Sequence, residues 1–266
     1  MSDLVQVDIH DNVGVVTLNR PHRKNAWTVP MQREYFDALQ TLTDDPRARV
    51  LVLTGAGGSF CPGADTEALS TYTETGTTNP EAETIAQPEW FPITVPKAVI
   101  AAIEGPCAGI GLVQALQCDI RIASPAARFS TAFSRRALPP MHGAVPLLER
   151  VAGAATAAEL LLTGRTFDGR EAAHLGVVHH LADDPLGAAI ELAHDMASHC
   201  SPASLARIKS DLWAPHLDRI ATAVEQVDAI LPEVLSSADF REGVASFVER
   251  RAPRFSPLPG EFERTS

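Results

Sequence analysis

The chain has 266 residues, of which 45% are hydrophobic and 21% are charged, so it is neither disordered nor too short to bury a substantial core. Asp and Glu exceed Lys and Arg by 33 to 22, which gives a formal net charge of −11 at pH 7. An acidic chain repels phosphate backbones at long range, so we do not expect a nucleic acid partner. The sequence contains no long apolar run, so we do not expect a membrane span either. A local basic patch can still hold a small phosphorylated ligand.

The cysteines and histidines predict neither disulfides nor a metal site. The four cysteines form no C-x-x-C pair, the adjacent His179 and His180 diverge, and no H-E-x-x-H motif occurs. The first residues show neither the basic nor the apolar segment of a signal peptide. We therefore expect a cytoplasmic protein with reduced, mostly buried thiols and no bound metal.

Strand and helix patterns alternate along the first half of the chain. The predicted strands are 4–10, 13–18 (joined to the first at Asp11-Asn12), 50–53, 98–103 and 120–123. The predicted helices run from Thr28 to about Asp45, near 65–70, and from about Gly111 to about Gln117. This repeated order with apolar strands predicts an α/β fold with parallel pairing.

The last third of the chain is mostly helical in pattern, from about residue 146 onward. Helices are predicted at 185–199, 203–213, 217–235 and 239–250. We divide the chain into a core at 1–200 and a C-terminal helical assembly region at 201–266.

A stretch between Asp65 and Lys97 contains no Lys or Arg and is rich in Thr, Glu and Pro. Such a stretch is typical either of a solvated loop or of a lid beside a binding site. Trp90 and Phe91 close it, either as pocket-lining rings or as core anchors.

Two strand-to-helix junctions are rich in glycine: residues 55–65, here called the first loop, and residues 105–111, the second loop. Glycine lets a backbone approach a ligand closely, and a helix N-terminus offers free N–H groups. Two such groups from separate loops can form an oxyanion hole, although the glycines can equally serve tight turns alone. The spacing fits neither a dinucleotide fingerprint, nor a phosphate-binding Walker loop, nor a serine nucleophile elbow.

Several segments, in order along almost the whole chain, together resemble the enoyl-CoA hydratase/isomerase (crotonase) superfamily. They are LNRPHRKNA at 18–26, FCPGAD at 60–65, KAVIAAIEG at 97–105 continuing through 109–111 to 118–119, LLTGR at 161–165 with Ala172, GVV at 176–178, and FVERRAP at 247–253.

The resemblance implies a spiral of ββα turns as the 1–200 core, with the 201–266 helices building a homotrimer or homohexamer. The ligand it implies is an acyl-CoA or enoyl-CoA thioester of fatty-acid or related acyl-CoA metabolism, with coenzyme A as part of the substrate and no separate cofactor. The thioester oxygen would lie between the backbone N–H groups of Ala64 and Ile110. Arg23, Lys24 and Ala26, together with Ala64 and Asp65, match the positions that contact coenzyme A.

The sequence departs from the family at the usual acids. The two glutamates of the hydratases correspond to Val113 and Phe133, and the carboxylate of some isomerases and dehalogenases corresponds to Met141. None of these side chains transfers a proton. His142 is the best substitute acid/base, and its alternative is a surface or packing role. Asp65 is a second candidate acid, although we expect it to cap the helix that follows.

Other polar groups in this region are weaker candidates. Gln114 lies next to Val113 but points about 100° away from it on a helix. Cys61 and Cys107 lie in the two loops, but no histidine partner for a thiol nucleophile is identifiable. Two hypotheses stay open: an enzyme acting on an acyl-CoA with a relocated acid/base, and a non-catalytic acyl-CoA binder that lost its carboxylates.

Overall fold

A computed structural model describes residues 4–65, 67 and 85–257. The helix predicted near 65–70 and most of the predicted loop or lid therefore lie outside the described residues. The strands are β1 (Val5–His10), β2 (Val13–Leu18), β3 (Val50–Gly55), β4 (Ala98–Ile103), β5 (Pro106–Ala108), β6 (Ile120–Ala123), β7 (Arg128–Ser130), β8 (Phe167–Asp168) and β9 (His180–Leu181).

The described strands form two sheets, and the predicted α/β class is confirmed. The larger sheet has the order β1-β2-β3-β4-β6-β9 and the smaller one β5-β7-β8. β1 and β2 are antiparallel, because Asp11 and Asn12 take positive φ angles of 47° and 68° in the tight turn between them. The remaining pairs of the larger sheet are parallel, as predicted.

The helices surround these sheets. They are α1 (Val29–Asp44), α2 (Phe91–Thr94), α3 (Ile110–Gln117), α4 (Ala144–Thr163), α5 (Gly169–His174), α6 (Pro185–His199), α7 (Pro202–Ser236) and α8 (Ala238–Val248), with short 3-10 turns at Pro21–Arg23 and Ser134–Arg136. Thr28 begins α1 as expected, since its side chain accepts a hydrogen bond from the Met31 N–H at 3.3 Å. None of the described helices is both long enough and apolar enough to cross a membrane.

The sequence prediction was wrong about the long helix. The helices predicted at 203–213 and 217–235 are one helix, α7, which continues through Pro215 and Pro232. Buried residues on one face of α7, among them Trp213, Ile220 and Val224, extend across the predicted break, and this packing outweighs the local cost of proline. The β5-β7-β8 sheet was not predicted, because strands of two or three residues leave no periodic pattern.

The central strands are apolar on both faces because both faces are covered. In β3, Leu51 and Leu53 join the core that includes α1 and α3, whereas Val50 and Val52 join a second core beneath α6. This arrangement accounts for the unbroken apolar run of the strand.

A buried ion pair attaches α7 to the sheet. The Asp119 carboxylate lies 3.0 Å from Lys209 Nζ, and it also accepts hydrogen bonds from Trp213 Nε1 and the Val99 N–H, both at 2.8 Å. Lys209 Nζ further donates to the Lys97 carbonyl at 3.0 Å. Lys209 is only 4% exposed, so its charge depends on these partners.

Replacing Asp119 should therefore be costly. We expect Asp119→Ala to lower the free energy of unfolding by about 3–5 kcal/mol, because the Lys209 charge stays buried without its counter-ion. Urea denaturation measures the change. Asp211→Ala is the matched control, since Asp211 pairs with Arg207 on the exposed face of the same helix and should have almost no effect. Equal losses in the two variants would contradict this account.

Candidate active site

The first and second loops lie side by side and are joined by backbone hydrogen bonds. The Cys61 N–H donates to the Pro106 carbonyl at 2.9 Å, and the Ala108 N–H donates to the Cys61 carbonyl at 2.9 Å. The Phe60 N–H donates to the Glu104 carbonyl at 2.7 Å. The two loops are thus fixed relative to each other by the backbone itself.

This close approach requires glycine. A Cβ atom on Gly111 would lie 2.3 Å from the Cys61 carbonyl oxygen, which is a severe clash. Gly63 and Gly109 have φ angles of +115° and +51°, and a Cβ atom on Gly109 would lie 3.9 Å from the Gly63 Cα. The glycines therefore bring together the two positions that directly precede Ala64 and Ile110.

The backbone N–H groups of Ala64 and Ile110 have no hydrogen-bond partner within the described ranges. Trp27 pairs with the chain around Ala64 by donating to the Gly63 carbonyl at 2.8 Å and accepting from the Asp65 N–H at 2.9 Å. Neither bond uses the Ala64 N–H. Ile110 is the first residue of α3, where an N–H group has no partner in the helix.

Asn25 joins the 20–27 segment to the first loop. Its side-chain amide donates to the carbonyls of Ser59 at 2.6 Å and Ala56 at 2.9 Å, and its Oδ1 accepts from the Arg20 N–H at 2.8 Å. Asn25 is fully buried and has a φ angle of 63°, a region in which asparagine is more tolerated than most residues. Sequence reasoning assigned no role to this residue.

Both oxygens of the Asp65 carboxylate are occupied. One forms an ion pair with Arg20 at 2.9 Å, and the other accepts from the Glu67 N–H at 2.9 Å, as a helix-capping residue does. Asp65 is 4% exposed. With both oxygens engaged, Asp65 is poorly suited to the acid role, and the helix that it was expected to cap lies outside the described residues.

The predicted coenzyme A positions lie on the segment next to the first loop. Arg23 and Lys24 are exposed, and Arg23 forms an ion pair with Glu67. The Lys24 carbonyl accepts a hydrogen bond from the Ser59 hydroxyl at 2.9 Å. Ala26 is buried, and its carbonyl accepts from Arg20 Nη1 at 2.6 Å. The two cations thus project from a segment that is fixed to the first loop.

The positions of the three expected acids are apolar and enclosed. Val113 and Phe133 are buried, and Met141 is half-buried against the core. Gln114, next to Val113, is also buried, and its Oε1 has no hydrogen-bond partner in the described part of the chain.

The thiols of the two loops are poor nucleophiles. Cys61 and Cys107 are fully buried. Burial raises the pKa of Cys61 to about 12 and the pKa of Cys107 well above its usual value. Both thiols therefore stay protonated at neutral pH, and the nucleophile hypothesis loses its basis.

His142 contacts a carboxylate in a way that the sequence did not predict. Its Nδ1 lies 2.5 Å from Glu89 Oε2, and the two side chains are 18% and 32% exposed. Burial alone would lower the pKa of His142, but Glu89 and then Asp228 outweigh it and raise that pKa above its ordinary value. Burial likewise opposes ionisation of Glu89, but His142 lowers the pKa of this carboxyl. His142 is therefore not a free surface side chain.

This pair lies beside two of the apolar positions. Met141 directly precedes His142 in the turn that begins α4. On the other side, the Glu89 carbonyl accepts a hydrogen bond from Gln117 Nε2 at 3.2 Å, and Gln117 lies one helical turn beyond Val113 on α3. Glu89 belongs to the segment without Lys or Arg, but nothing in its spacing signalled this contact.

Comparison with known proteins identifies the family of this chain. The family model described as enoyl-CoA hydratase/isomerase matches residues 8–257. The protein named "Probable enoyl-CoA hydratase EchA14" from Mycobacterium tuberculosis is 38% identical over 195 residues, which are 72% of this chain and 74% of that protein. The 1,2-epoxyphenylacetyl-CoA isomerase of Escherichia coli is 32% identical over 266 residues, covering 96% and 99% of the two chains.

Solved structures show the same fold. The crystal structure of an enoyl-CoA hydratase/isomerase from Pseudoalteromonas atlantica superposes with a TM-score of 0.84 at 30% identity, covering 95% of this chain and 100% of that one. The family match spans nearly the whole chain, and its relatives cover both loops and the C-terminal helices. The chain therefore belongs to the enoyl-CoA hydratase/isomerase (crotonase) family.

Proposed function

We propose that this protein is an enzyme that binds an acyl-CoA or enoyl-CoA thioester and transfers a proton at a carbon activated by the thioester. The observation that carries the proposal is the pair of adjacent loops whose Ala64 and Ile110 N–H groups lack partners in the described residues. Two backbone donors in adjacent loops suit an oxygen on which negative charge develops. The relatives support the substrate class, since their names include a hydratase and an isomerase of CoA thioesters.

The acid/base group in this proposal is His142. Its Nε2 accepts a proton from the carbon next to the thioester carbonyl, and the released electron pair moves to the carbonyl oxygen between Ala64 and Ile110. Returning the proton to the same carbon or to a conjugated one completes an exchange or an isomerisation. Hydration by two glutamates is not available, because Val113 and Phe133 replace them.

The second candidate is a non-catalytic acyl-CoA binder. The observation that favours it is the apolar character of Val113, Phe133 and Met141, which suits an acyl chain and supplies no proton. The binder keeps both loops but has no use for the acid/base chemistry of His142.

The proposed setting is a cytoplasmic homotrimer or homohexamer. Helix α7 supports the oligomer, because Ile208, Leu212 and Ile230 are each about half exposed along it. Apolar side chains that remain exposed on a helix are typical of surfaces that another chain covers.

The oxyanion role can be tested at Ile110, the first position of α3. Proline is tolerated at this position and lacks the N–H group. It also replaces the buried Ile110 side chain, and Ile110→Ala controls for that loss. We expect Ile110→Pro to lower kcat by roughly 10²–10³-fold, while Ile110→Ala keeps the donor and most of the activity. The assays are crotonyl-CoA hydration and exchange of the α-protons of butyryl-CoA in D2O. Equal activity in the two folded variants would contradict the proposed oxyanion hole.

The acid/base role can be tested with His142→Gln. This variant should lose about 10²–10⁴-fold in α-proton exchange while still binding butyryl-CoA in a calorimetric titration. The control is His199→Gln, because His199 also contacts a carboxylate but lies exposed at the end of α6. Tight binding without turnover by the natural sequence, in hydration, isomerisation and exchange assays, would instead establish the binder.

The predicted coenzyme A contacts can be tested by removing their charge. We expect Arg23→Gln and Lys24→Gln to raise the KM for butyryl-CoA in α-proton exchange by roughly 3- to 10-fold each, with little change in kcat and with a weaker dependence on salt. Arg207→Gln, on the exposed face of α7, serves as the control. An unchanged KM in both variants would mean that the coenzyme A phosphates bind elsewhere.

A further inference from the structure

We propose that Glu89 is the positioning residue for His142, holding its ring by Nδ1 so that Nε2 acts as the proton-transfer atom. This inference rests on the proposed function and adds a residue to it. A carboxylate accepts hydrogen bonds, so contact with Glu89 Oε2 at 2.5 Å places a proton on Nδ1. Nε2 forms no hydrogen bond to any described residue, and the His142 side chain as a whole is 18% exposed.

Glu89 is held in place from both sides. Its carbonyl accepts from Gln117 Nε2 on α3, and two residues later the Phe91 N–H donates to the Pro88 carbonyl at 2.8 Å. The Phe91 ring packs edge-on against Phe36, with 5.5 Å between the ring centres. The carboxylate is therefore presented from an ordered turn and not from the end of a free loop.

The backbone of His142 is constrained as well. His142 has a φ angle of +58°, a left-handed conformation that is uncommon for residues other than glycine. Gly143 follows with a φ angle of +74°, and a Cβ atom there would lie 2.9 Å from Ile220 Cγ2 on α7. Backbone conformations of this kind recur at functional sites, where packing holds them in place.

The charges around His142 suit a proton acceptor that becomes positive. Glu89 faces it from the segment before α2, and Asp228 acts on it from α7. When Nε2 takes a proton from the substrate carbon, the imidazolium is stabilised by Glu89, and the proton is later returned to carbon. The step needs no further reactant, because the electron pair moves to the thioester oxygen and back.

The chain contains a second histidine–carboxylate pair that serves as a control. His199 Nδ1 lies 3.0 Å from Asp195 Oδ1 at the end of α6, and these side chains are 73% and 67% exposed. The two residues are four positions apart on one helix, whereas Glu89 and His142 are 53 positions apart and come from different segments. The pair on one helix forms without any tertiary contact.

The test compares Glu89→Gln with Asp195→Asn in α-proton exchange of butyryl-CoA. We expect Glu89→Gln to lower kcat by roughly 10- to 100-fold with the KM within about twofold, and Asp195→Asn to match the natural sequence. Without the carboxylate, His142 loses its proton at lower pH, so the rise of kcat/KM with pH should move to lower pH. Nuclear magnetic resonance of the His142 ring nitrogens should show the same displacement and a loss of the single tautomer.

The outcomes separate the two proposals. The positioning role alone would be overturned if Glu89→Gln had a normal kcat and an unchanged His142 titration while His142→Gln was inactive. An inactive natural sequence would overturn the proposed function and this role with it. If Glu89→Gln does not fold, Glu89→Asp keeps the charge and displaces it, and we expect lowered kcat with a pH profile close to the natural one. Full activity of Glu89→Asp with a freely rotating His142 ring would contradict the proposal.

Discussion

The backbone pairing between the two glycine-rich loops is the constraint on which the candidate site depends. Hydrogen bonds on either side of Cys61 fix the first loop against the second, and the missing side chain of Gly111 lets them approach. Because this geometry is made by main chain, it survives substitution of almost every side chain around it. The apolar side chains of Val113 and Phe133 therefore do not affect the N–H groups of Ala64 and Ile110, which have no partner among the described residues.

The apolar positions of the candidate site and the charged pairs of the molecule have different structural roles. At the positions on α3 and after β7 where carboxylates were expected, Val113 and Phe133 are apolar and extend the core. The one carboxylate–histidine pair described at this site comes from two turns outside the regular elements, at Glu89 and His142. A buried charge elsewhere, Lys209, is matched by Asp119 and serves to attach α7. Net acidity thus says little about where a carboxylate is available for chemistry.

Much of the fold was predictable from local pattern. The strands of the larger sheet and helix α1 follow from apolar periodicity and capping residues, and the turn at Asp11-Asn12 follows from residue type. The short β5, β7 and β8 strands and the continuity of α7 through Pro215 were not predictable from local pattern, because tertiary packing decides them. At the site, the positions of Ala64, Ile110 and His142 came from sequence. The contacts of Glu89 and Asn25 were not predicted, because contacts between residues distant in the chain leave no signal in a single sequence.

We propose that the Ala64 and Ile110 N–H groups polarise a thioester carbonyl, and infrared spectroscopy measures this polarisation in the bound ligand. Butyryl-CoA labelled with carbon-13 at the carbonyl carbon isolates the carbonyl stretch of the bound ligand. We expect a stretching frequency below that of the same thioester free in water, with part of the shift lost in Ile110→Pro. A bound carbonyl with the aqueous frequency would contradict it.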